Sequence, residues 1–199
     1  MIPYKTYKIG PYHTSEIEIK DLLKAWIAIS IAFAILLGGF ANPLQFSIAV
    51  LFSGITAGLG FVLHEMAHKI VAQRYRCFAE FRANNMMLLV AVITSFFGII
   101  FAAPGAVVIL GHVGKKENGI ISIAGIAMNI LLAILFFALM FISPNDILRY
   151  GFMINAWLGL FNLIPLGNFD GTKVLMWNKI VYGIAVALSL ALVFLSFQS

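Results

Sequence analysis

Two histidines and a glutamate stand close together in an otherwise apolar part of the chain, in the run His64-Glu65-Met66-Ala67-His68. Residues four apart lie on the same face of a helix, so both imidazoles could bind one metal ion. Neutral imidazole is a usual zinc ligand, and a catalytic zinc site keeps one position for water. Zinc lowers the pKa of that water to about 7, and Glu65 could accept its proton as general base. The spacing therefore predicts a zinc site with hydrolytic chemistry.

The apolar surroundings of this motif decide how much weight it carries. A five-residue HExxH pattern occurs by chance in on the order of one per cent of chains this long. An ionisable side chain within a membrane span costs at least about 3 kcal/mol, so three of them in five residues need a compensating partner. A divalent cation would supply it. The alternative is that this helix end reaches water and that both histidines are ordinary interfacial side chains.

Zinc needs a third protein ligand, and Asp170 is the strongest candidate by position. A proline and a glycine interrupt an apolar run just before it, so its carboxylate could point back into the protein. The same pattern fits an Asp-Gly turn between two helices, and spacing alone does not separate the two interpretations. Cys77 is the only cysteine and follows the end of the motif's helix, and the two remaining histidines lie in polar segments.

The composition of the whole chain is that of a helical membrane protein. Of 199 residues, 62% are hydrophobic and 11% are charged, with a mean hydropathy of +1.00. Soluble domains carry about 25% charged residues. The apolar residues form continuous runs instead of the alternation that a transmembrane barrel shows. The net charge of +5 is small and its basic residues are scattered, which indicates membrane topology signals and no nucleic acid.

The pattern of runs and breaks predicts an all-α polytopic membrane protein in a single domain, residues 1–199. About five transmembrane helices are expected, at residues 25–41, 44–73, 120–142, 147–166 and 174–197. Residues 86–103 form a further, interrupted apolar segment, and short strands are expected at residues 78–83 and 105–113. Ser15 and Asn42 have the sequence context of helix N-caps. Gly54 and Gly58 could form a close-packing face or could simply be small residues in a membrane helix.

Taken together, the motifs resemble the site-2 protease family of intramembrane zinc metalloproteases. The resemblance covers roughly residues 44–173 and rests on three elements. These are the HExxH motif, the run Asn162-x-x-Pro165-x-x-x-x-Asp170-Gly171, and the intervening Gly125-x-x-x-Asn129. The chain would be a compact form, without the PDZ or CBS domain of larger members.

What this resemblance implies is a complete active site. One zinc per chain would be bound by His64, His68 and Asp170, with Glu65 as general base. Asn129 and Asn162 would be polar supports near the substrate or the metal. The implied reaction is regulated intramembrane proteolysis, the hydrolysis of peptide bonds within the membrane helices of other proteins. The expected partners are therefore single-span membrane protein substrates and the lipid bilayer.

Topology provides a separate argument about the interrupted segment. For Asp170 to meet the histidines, an even number of crossings must separate them, and the runs 120–142 and 147–166 supply two. Residues 86–103 must then enter and leave on one side, which is tolerated for irregular backbone buried in protein. Lys115 and Lys116 then fall on the cytoplasmic side, as positive charges should. We expect a multi-pass protein of a prokaryotic cell membrane with its site towards the cytoplasm.

Two other functions stay open at this point. A membrane metal transporter would need polar ligands along several spans, whereas the ionisable groups here collect at one depth. A catalytically inactive relative that binds membrane helices would be expected to have lost its base. The intact Glu65 argues against that second alternative.

Overall fold

The computed structural model describes residues 5–38, 42–100 and 104–198, most of which are helical. In chain order the elements are β1 (Thr6–Ile9), β2 (Tyr12–Ser15), α1 (Glu16–Leu36), α2 (Pro43–Arg74), β3 (Phe78–Ala83), α3 (Asn85–Ser95), β4 (Gly105–Leu110), α4 (Lys115–Met140), α5 (Asp146–Asn162), α6 (Asp170–Trp177) and α7 (Lys179–Ser196). They form two compact units, Met1–Val62 with Phe78–Leu110, and Leu63–Cys77 with Gly111–Ser199. The prediction of a single domain stays a prediction.

Three helices are long and apolar enough to cross a membrane, namely α2 with 32 residues, α4 with 26 and α7 with 18. A bilayer core of about 30 Å needs roughly 20 helical residues. Helix α1 carries charged residues in its N-terminal third, and α5 has 17 residues. The fold is thus a mostly helical membrane protein, in which three of the five predicted spans meet the criteria of length and composition.

Two of the predicted helix starts are confirmed by their capping bonds. The Ser15 hydroxyl accepts the Glu18 N–H at 3.2 Å at the start of α1. Asn42 Oδ1 accepts the Leu44 N–H at 2.9 Å, with proline at the first position of α2. Each cap satisfies a backbone N–H that the first helical turn leaves without a partner.

The predicted helix over residues 174–197 is wrong in one respect, because it is broken at Asn178. The Asn178 side chain accepts the N–H groups of Ile180 and Val181 at 2.9 and 3.2 Å and so begins a new helix. Its backbone is extended, with φ −150°. Asparagine favours such caps because its amide competes with helical backbone bonding. The apolar run therefore divides into the short α6 and the longer α7.

In the first unit, β3 and β4 pair antiparallel, with Phe78 opposite Leu110 and Ala83 opposite Gly105. The bounds of β3 are those predicted, and β4 is three residues shorter than expected. Two buried carboxylates of α1 bond the backbone of β3. Glu18 Oε1 accepts the Phe81 N–H at 2.9 Å, and Asp21 Oδ2 accepts the Ala83 N–H at 3.3 Å.

The segment between β3 and β4 leaves the sheet and returns to it. The Asn84 N–H donates to the Pro104 carbonyl at 3.0 Å, so the two ends of the segment meet. Helix α3 has only 11 residues and is followed by a turn in which Gly98 adopts φ 79°. Residues 101–103 lie outside the described part of the chain. The two ends of the segment thus lie at one edge of the sheet, and the re-entrant arrangement of residues 86–103 stays a prediction. The hairpin of β1 and β2 was not predicted, although Gly10-Pro11 was an available turn signal.

Helices α1 and α2 pack closely at Gly54 and Gly58, which favours the close-packing interpretation of these glycines. Over Gly54–Gly58 helix α2 widens into a π-helical turn. The Trp26 Nε1–H donates to the Gly54 carbonyl at 3.0 Å. Insertion of a partner group is a usual accompaniment of such an irregular turn.

The second unit is built on α4, α5, α6 and α7, whose apolar faces form one core. Its buried members include Ile126, Phe152, Leu163, Val174 and Leu192, one or more from each helix and from the end of α5. This core fixes the helices that carry the site described below.

We expect Gly58→Ala to destabilise the protein. A Cβ at residue 58 would lie 2.8 Å from Ser30 Oγ and 2.9 Å from Trp26 Cδ1. Overpacking of this kind costs about 1–3 kcal/mol. Thermal unfolding in detergent should show a lower Tm. Gly183→Ala is the matched control, because a Cβ at residue 183 has no neighbour within 4 Å, and alanine is the better helix former. Equal Tm changes in the two variants would contradict the tight contact.

Candidate metal centre

Helix α2 carries the HExxH residues, and all of its ionisable side chains there are buried. The relative exposures are 5% for His64, 8% for Glu65 and 7% for His68. The four-residue spacing places both imidazoles on one helix face, with ring centroids 4.5 Å apart. Burial of three such groups is costly unless they are paired or bind a cation. The interpretation of the histidines as water-exposed interfacial side chains is therefore not favoured.

Asp170 reaches the histidines from the first residue of α6. This approach depends on two glycines, one in the turn before Asp170 and one directly after it. Gly167 adopts φ 52°. A Cβ at Gly171 would lie 2.2 Å from the carbonyl oxygen of Leu163, so only glycine permits this approach. The Asp-Gly pair therefore begins a helix instead of forming the turn itself, and the turn before it places the carboxylate next to the histidines. The role of Asp170 as a zinc ligand stays a prediction.

The three potential ligand atoms form a compact triangle. His68 Nε2 lies 2.9 Å from His64 Nε2 and 2.9 Å from Asp170 Oδ2, and His64 Nε2 lies 3.3 Å from Asp170 Oδ2. Two atoms that each bind one tetrahedral zinc ion at about 2.05 Å are roughly 3.3 Å apart. The triangle has the size that a zinc ligand set requires. Among the described residues, this is the group of histidine, cysteine and carboxylate side chains close enough to hold a metal.

The outer contacts of the two rings show which nitrogen of each is free for a ligand. His68 Nδ1 lies 2.7 Å from the Ile121 carbonyl, and His64 Nδ1 lies 2.6 Å from Asn129 Oδ1. Both partners are acceptors, so each Nδ1 carries a hydrogen, and in the neutral ring each Nε2 then presents a lone pair. Metal-bound histidines usually donate their other N–H in this way.

The carboxylate is held similarly, because Lys173 Nζ lies 3.3 Å from Asp170 Oδ1 and leaves Oδ2 towards the histidines. Two imidazole lone pairs and one carboxylate oxygen therefore converge in a buried place. These groups repel one another unless a cation lies between them. The donor set fits zinc, which accepts imidazole nitrogen and carboxylate oxygen.

Helix α4 supports the site at two residues one turn apart. Asn129 makes the hydrogen bond to His64 just described. At Gly125, a Cβ would lie 2.4 Å from His68 Cε1 and Nε2 and 2.7 Å from His64 Nε2. Glycine is needed there because the backbone of α4 packs directly against the ligand edges of both rings. The Gly-x-x-x-Asn element thus has a physical basis in this chain.

Two asparagines of α5 differ from expectation. The Asn162 amide donates to the Leu158 carbonyl of its own helix at 2.9 Å, and within the described residues no hydrogen bond joins it to the histidines. Its role as a site support stays a prediction. Asn155 was not singled out, yet it is fully buried and accepts a hydrogen bond from Asn129 Nδ2 at 3.3 Å. A polar amide within an apolar run was the signal that could have identified it.

A comparison of the whole chain with known proteins gives one informative relative. A Methanocaldococcus jannaschii protein bearing the name "Putative zinc metalloprotease" is 39% identical over 181 residues, which cover 87% of this chain and 91% of that protein. No protein-family profile matches the chain. No solved structure matches it either.

We expect purified protein to contain about one zinc per chain and Gly125→Ala to lose most of it. The added methyl group would occupy the space against the His68 and His64 rings. Elemental analysis after dialysis against a weak chelator measures the zinc content. His68→Ala should lose zinc as well, because it removes a ligand.

Gly159→Ala provides the matched control for this experiment. A Cβ at residue 159 would meet its neighbours at 3.6 Å, which is ordinary contact, so zinc should be retained. Full zinc content in His68→Ala would overturn the site itself. Full content in Gly125→Ala alone would show only that α4 can move away from the rings.

Proposed function

This chain belongs to the family of compact, site-2-protease-like zinc metalloproteases that its Methanocaldococcus jannaschii relative represents, and from this premise we propose that it is an intramembrane metalloendopeptidase. Its reaction is the hydrolysis of peptide bonds within the transmembrane segments of single-span proteins, as in regulated intramembrane proteolysis. The observation that carries the proposal is the buried convergence of His64, His68 and Asp170, together with a buried Glu65 that directly follows His64 in the chain.

The residues of the site divide into ligands and a base. His64, His68 and Asp170 would hold the metal through Nε2, Nε2 and Oδ2. Zinc bound there would supply a Lewis acid and lower the pKa of water to about 7. Glu65 lies between the two histidine ligands in the chain and is buried. As general base, it accepts a proton from the attacking water and passes it to the leaving amine.

The setting of the site in the membrane is part of the proposal. The motif helix α2 is one of the three helices that are long and apolar enough to span. The hydrogen bond between Asn84 and Pro104 supports a re-entrant path for residues 86–103. With α1 and α5 counted as crossings, the chain has five transmembrane helices. The basic residues after the motif then lie on the cytoplasmic side of a prokaryotic cell membrane, with the active site near them.

A metal transporter is less well supported than a protease. A transport path needs ligands distributed along several spans. The described residues hold one group of potential metal ligands, and its three members are within 4.8 Å of one another. A single closed site of this kind suits catalysis better than conduction. An inactive relative would be expected to have lost its base, and Glu65 is present.

The proposed topology can be tested by cysteine accessibility in intact cells. Cys77 is buried, so the native thiol is replaced by Cys77→Ser and single cysteines are placed at the exposed residues Arg76, Lys116 and Asn145. We expect an impermeant thiol reagent to label Asn145→Cys only, and all three after the cells are opened. Labelling of Lys116→Cys but not Arg76→Cys in intact cells would mean that residues 86–103 cross the membrane, and the re-entrant arrangement would be wrong.

The roles of Glu65 and Asp170 can be separated by measuring zinc content and cleavage together. Glu65→Gln keeps the shape but cannot accept a proton, so zinc should stay bound. Cleavage of a panel of single-span substrates should fall by at least about 10²-fold. Asp170→Ala removes a ligand, so zinc should be lost and activity partly restored by added zinc.

The contrast between these two variants is the test. Equal zinc retention in both would reduce Asp170 to a turn residue and leave Asn162 as the next candidate ligand. Undiminished cleavage by Glu65→Gln would exclude it as the base. Zinc binding by a wild-type protein that cleaves no membrane-embedded substrate would contradict the proposed activity and leave the metal site intact.

A further inference from the structure

We propose that Asn155 is a positioning residue of the metal centre: acting through Asn129, it holds the His64 imidazole in the tautomer whose Nε2 can bind the metal. The inference rests on the metal site of the proposed function but not on the identity of the substrate. It assigns a purpose to a buried polar side chain of α5 that none of the sequence motifs includes.

A continuous chain of hydrogen bonds leads from the backbone of α5 to the site. Asn155 Nδ2 donates to the Gly151 carbonyl at 2.9 Å. Asn129 Nδ2 donates to Asn155 Oδ1 at 3.3 Å. Asn129 Oδ1 then lies 2.6 Å from His64 Nδ1. All of these links lie within the second unit, and the two asparagines are 0% and 1% exposed.

The direction of this chain is fixed at its far end. The Gly151 carbonyl can only accept a hydrogen bond, so Asn155 must present its NH₂ group to it. The Asn155 oxygen then faces Asn129, which must answer with its own NH₂ group. The Asn129 oxygen is thereby turned towards His64, and an oxygen acceptor requires Nδ1 to carry the hydrogen. The Nε2 lone pair of His64 is left for the metal.

Close packing of α5 against α4 holds the two asparagines next to each other. Gly151, Asn155 and Gly159 recur every fourth residue and so share one face of α5. A Cβ at Gly159 would lie 3.6 Å from the Cβ of Asn129, and one at Gly151 would lie 2.7 Å from the Phe136 ring. This close approach keeps the Asn155 amide within hydrogen-bond distance of Asn129.

Removal of the Asn155 amide should change the hydrogen bonding of His64 by way of Asn129. Without Asn155 Oδ1, the buried Asn129 amide loses the hydrogen bond that fixes its orientation. Rotation of the amide by half a turn would then direct its NH₂ group at His64. A donor there favours hydrogen on Nε2, which blocks that nitrogen as a ligand. Loss of a hydrogen-bonding partner behind a metal ligand typically lowers metal affinity by about 10–100-fold.

The test is a double-mutant cycle read by zinc affinity, measured by competition with a chromogenic chelator on the full-length protein in detergent. We expect Asn129→Ala and Asn155→Ala each to weaken zinc binding by about 10-fold or more. In the Asn129→Ala background, Asn155→Ala should have no further effect, because its route to His64 is already cut. The visible absorption of the Co²⁺-substituted protein should change in Asn155→Ala, reporting an altered ligand environment.

Two further variants separate positioning from general stability. Asn155→Asp, when protonated, is nearly isosteric and keeps both contacts, so its zinc affinity should be closer to wild type than that of Asn155→Ala. Ser189→Ala is the matched control, since Ser189 is fully buried near Gly159 and its hydroxyl has no partner in the described part of the chain. It should leave zinc affinity and the Co²⁺ spectrum unchanged.

Several outcomes would overturn the inference. One is wild-type zinc affinity in folded Asn155→Ala, and another is an equal loss from Asn155→Ala in both backgrounds. If Asn155→Ala does not fold, Asn155→Ser supplies the same cycle, because it also removes the amide oxygen that faces Asn129. A wild-type protein that binds no zinc would instead refute the metal site and with it the proposed function.

Discussion

The mutual repulsion of three converging lone pairs is the constraint on which the metal site of this protein depends. His64, His68 and Asp170 present only acceptor atoms to one another at about hydrogen-bond distance. They stay there because each is held from behind by Asn129, the Ile121 carbonyl or Lys173. A cation converts this repulsion into attraction, so a rigid protein frame and a bound metal stabilise each other.

Glycine residues make this rigid arrangement possible, because hydrogen bonds between side chains of different helices require the helices to pack very closely. Gly125 lets the backbone of α4 touch both ligand rings, and Gly171 lets α6 begin against the Leu163 carbonyl. Within a membrane, helix association relies on close packing and interhelical hydrogen bonds, since lipid is as apolar as the side chains. Small residues and buried amides therefore occur together at the α4–α5 contact, at Gly151 and Asn155.

In the first unit, the main constraint is that backbone N–H and C=O groups outside the helices need hydrogen-bond partners. The strand β3 receives hydrogen bonds from β4 on one side and has two further N–H groups bonded by Glu18 and Asp21 of α1. The Asn84–Pro104 bond closes the segment that contains α3. Backbone groups that have no strand partner are thus satisfied by side chains and by the chain's own return, as an apolar environment demands.

The amino-acid sequence by itself determined whatever depends on neighbours along the chain. The position of His64 and His68 on one helix face follows from their spacing, the start of α1 follows from the Ser15 cap, and β3 follows from the alternation of its residues. The break at Asn178 shows that a long apolar run can still be wrongly predicted as one helix. Which residues from different helices come into contact was decided by tertiary structure alone. Spacing left Asp170 as ligand or turn and gave no role to Asn155, because a contact between helices depends on how closely they pack, which the order of residues in either helix does not fix.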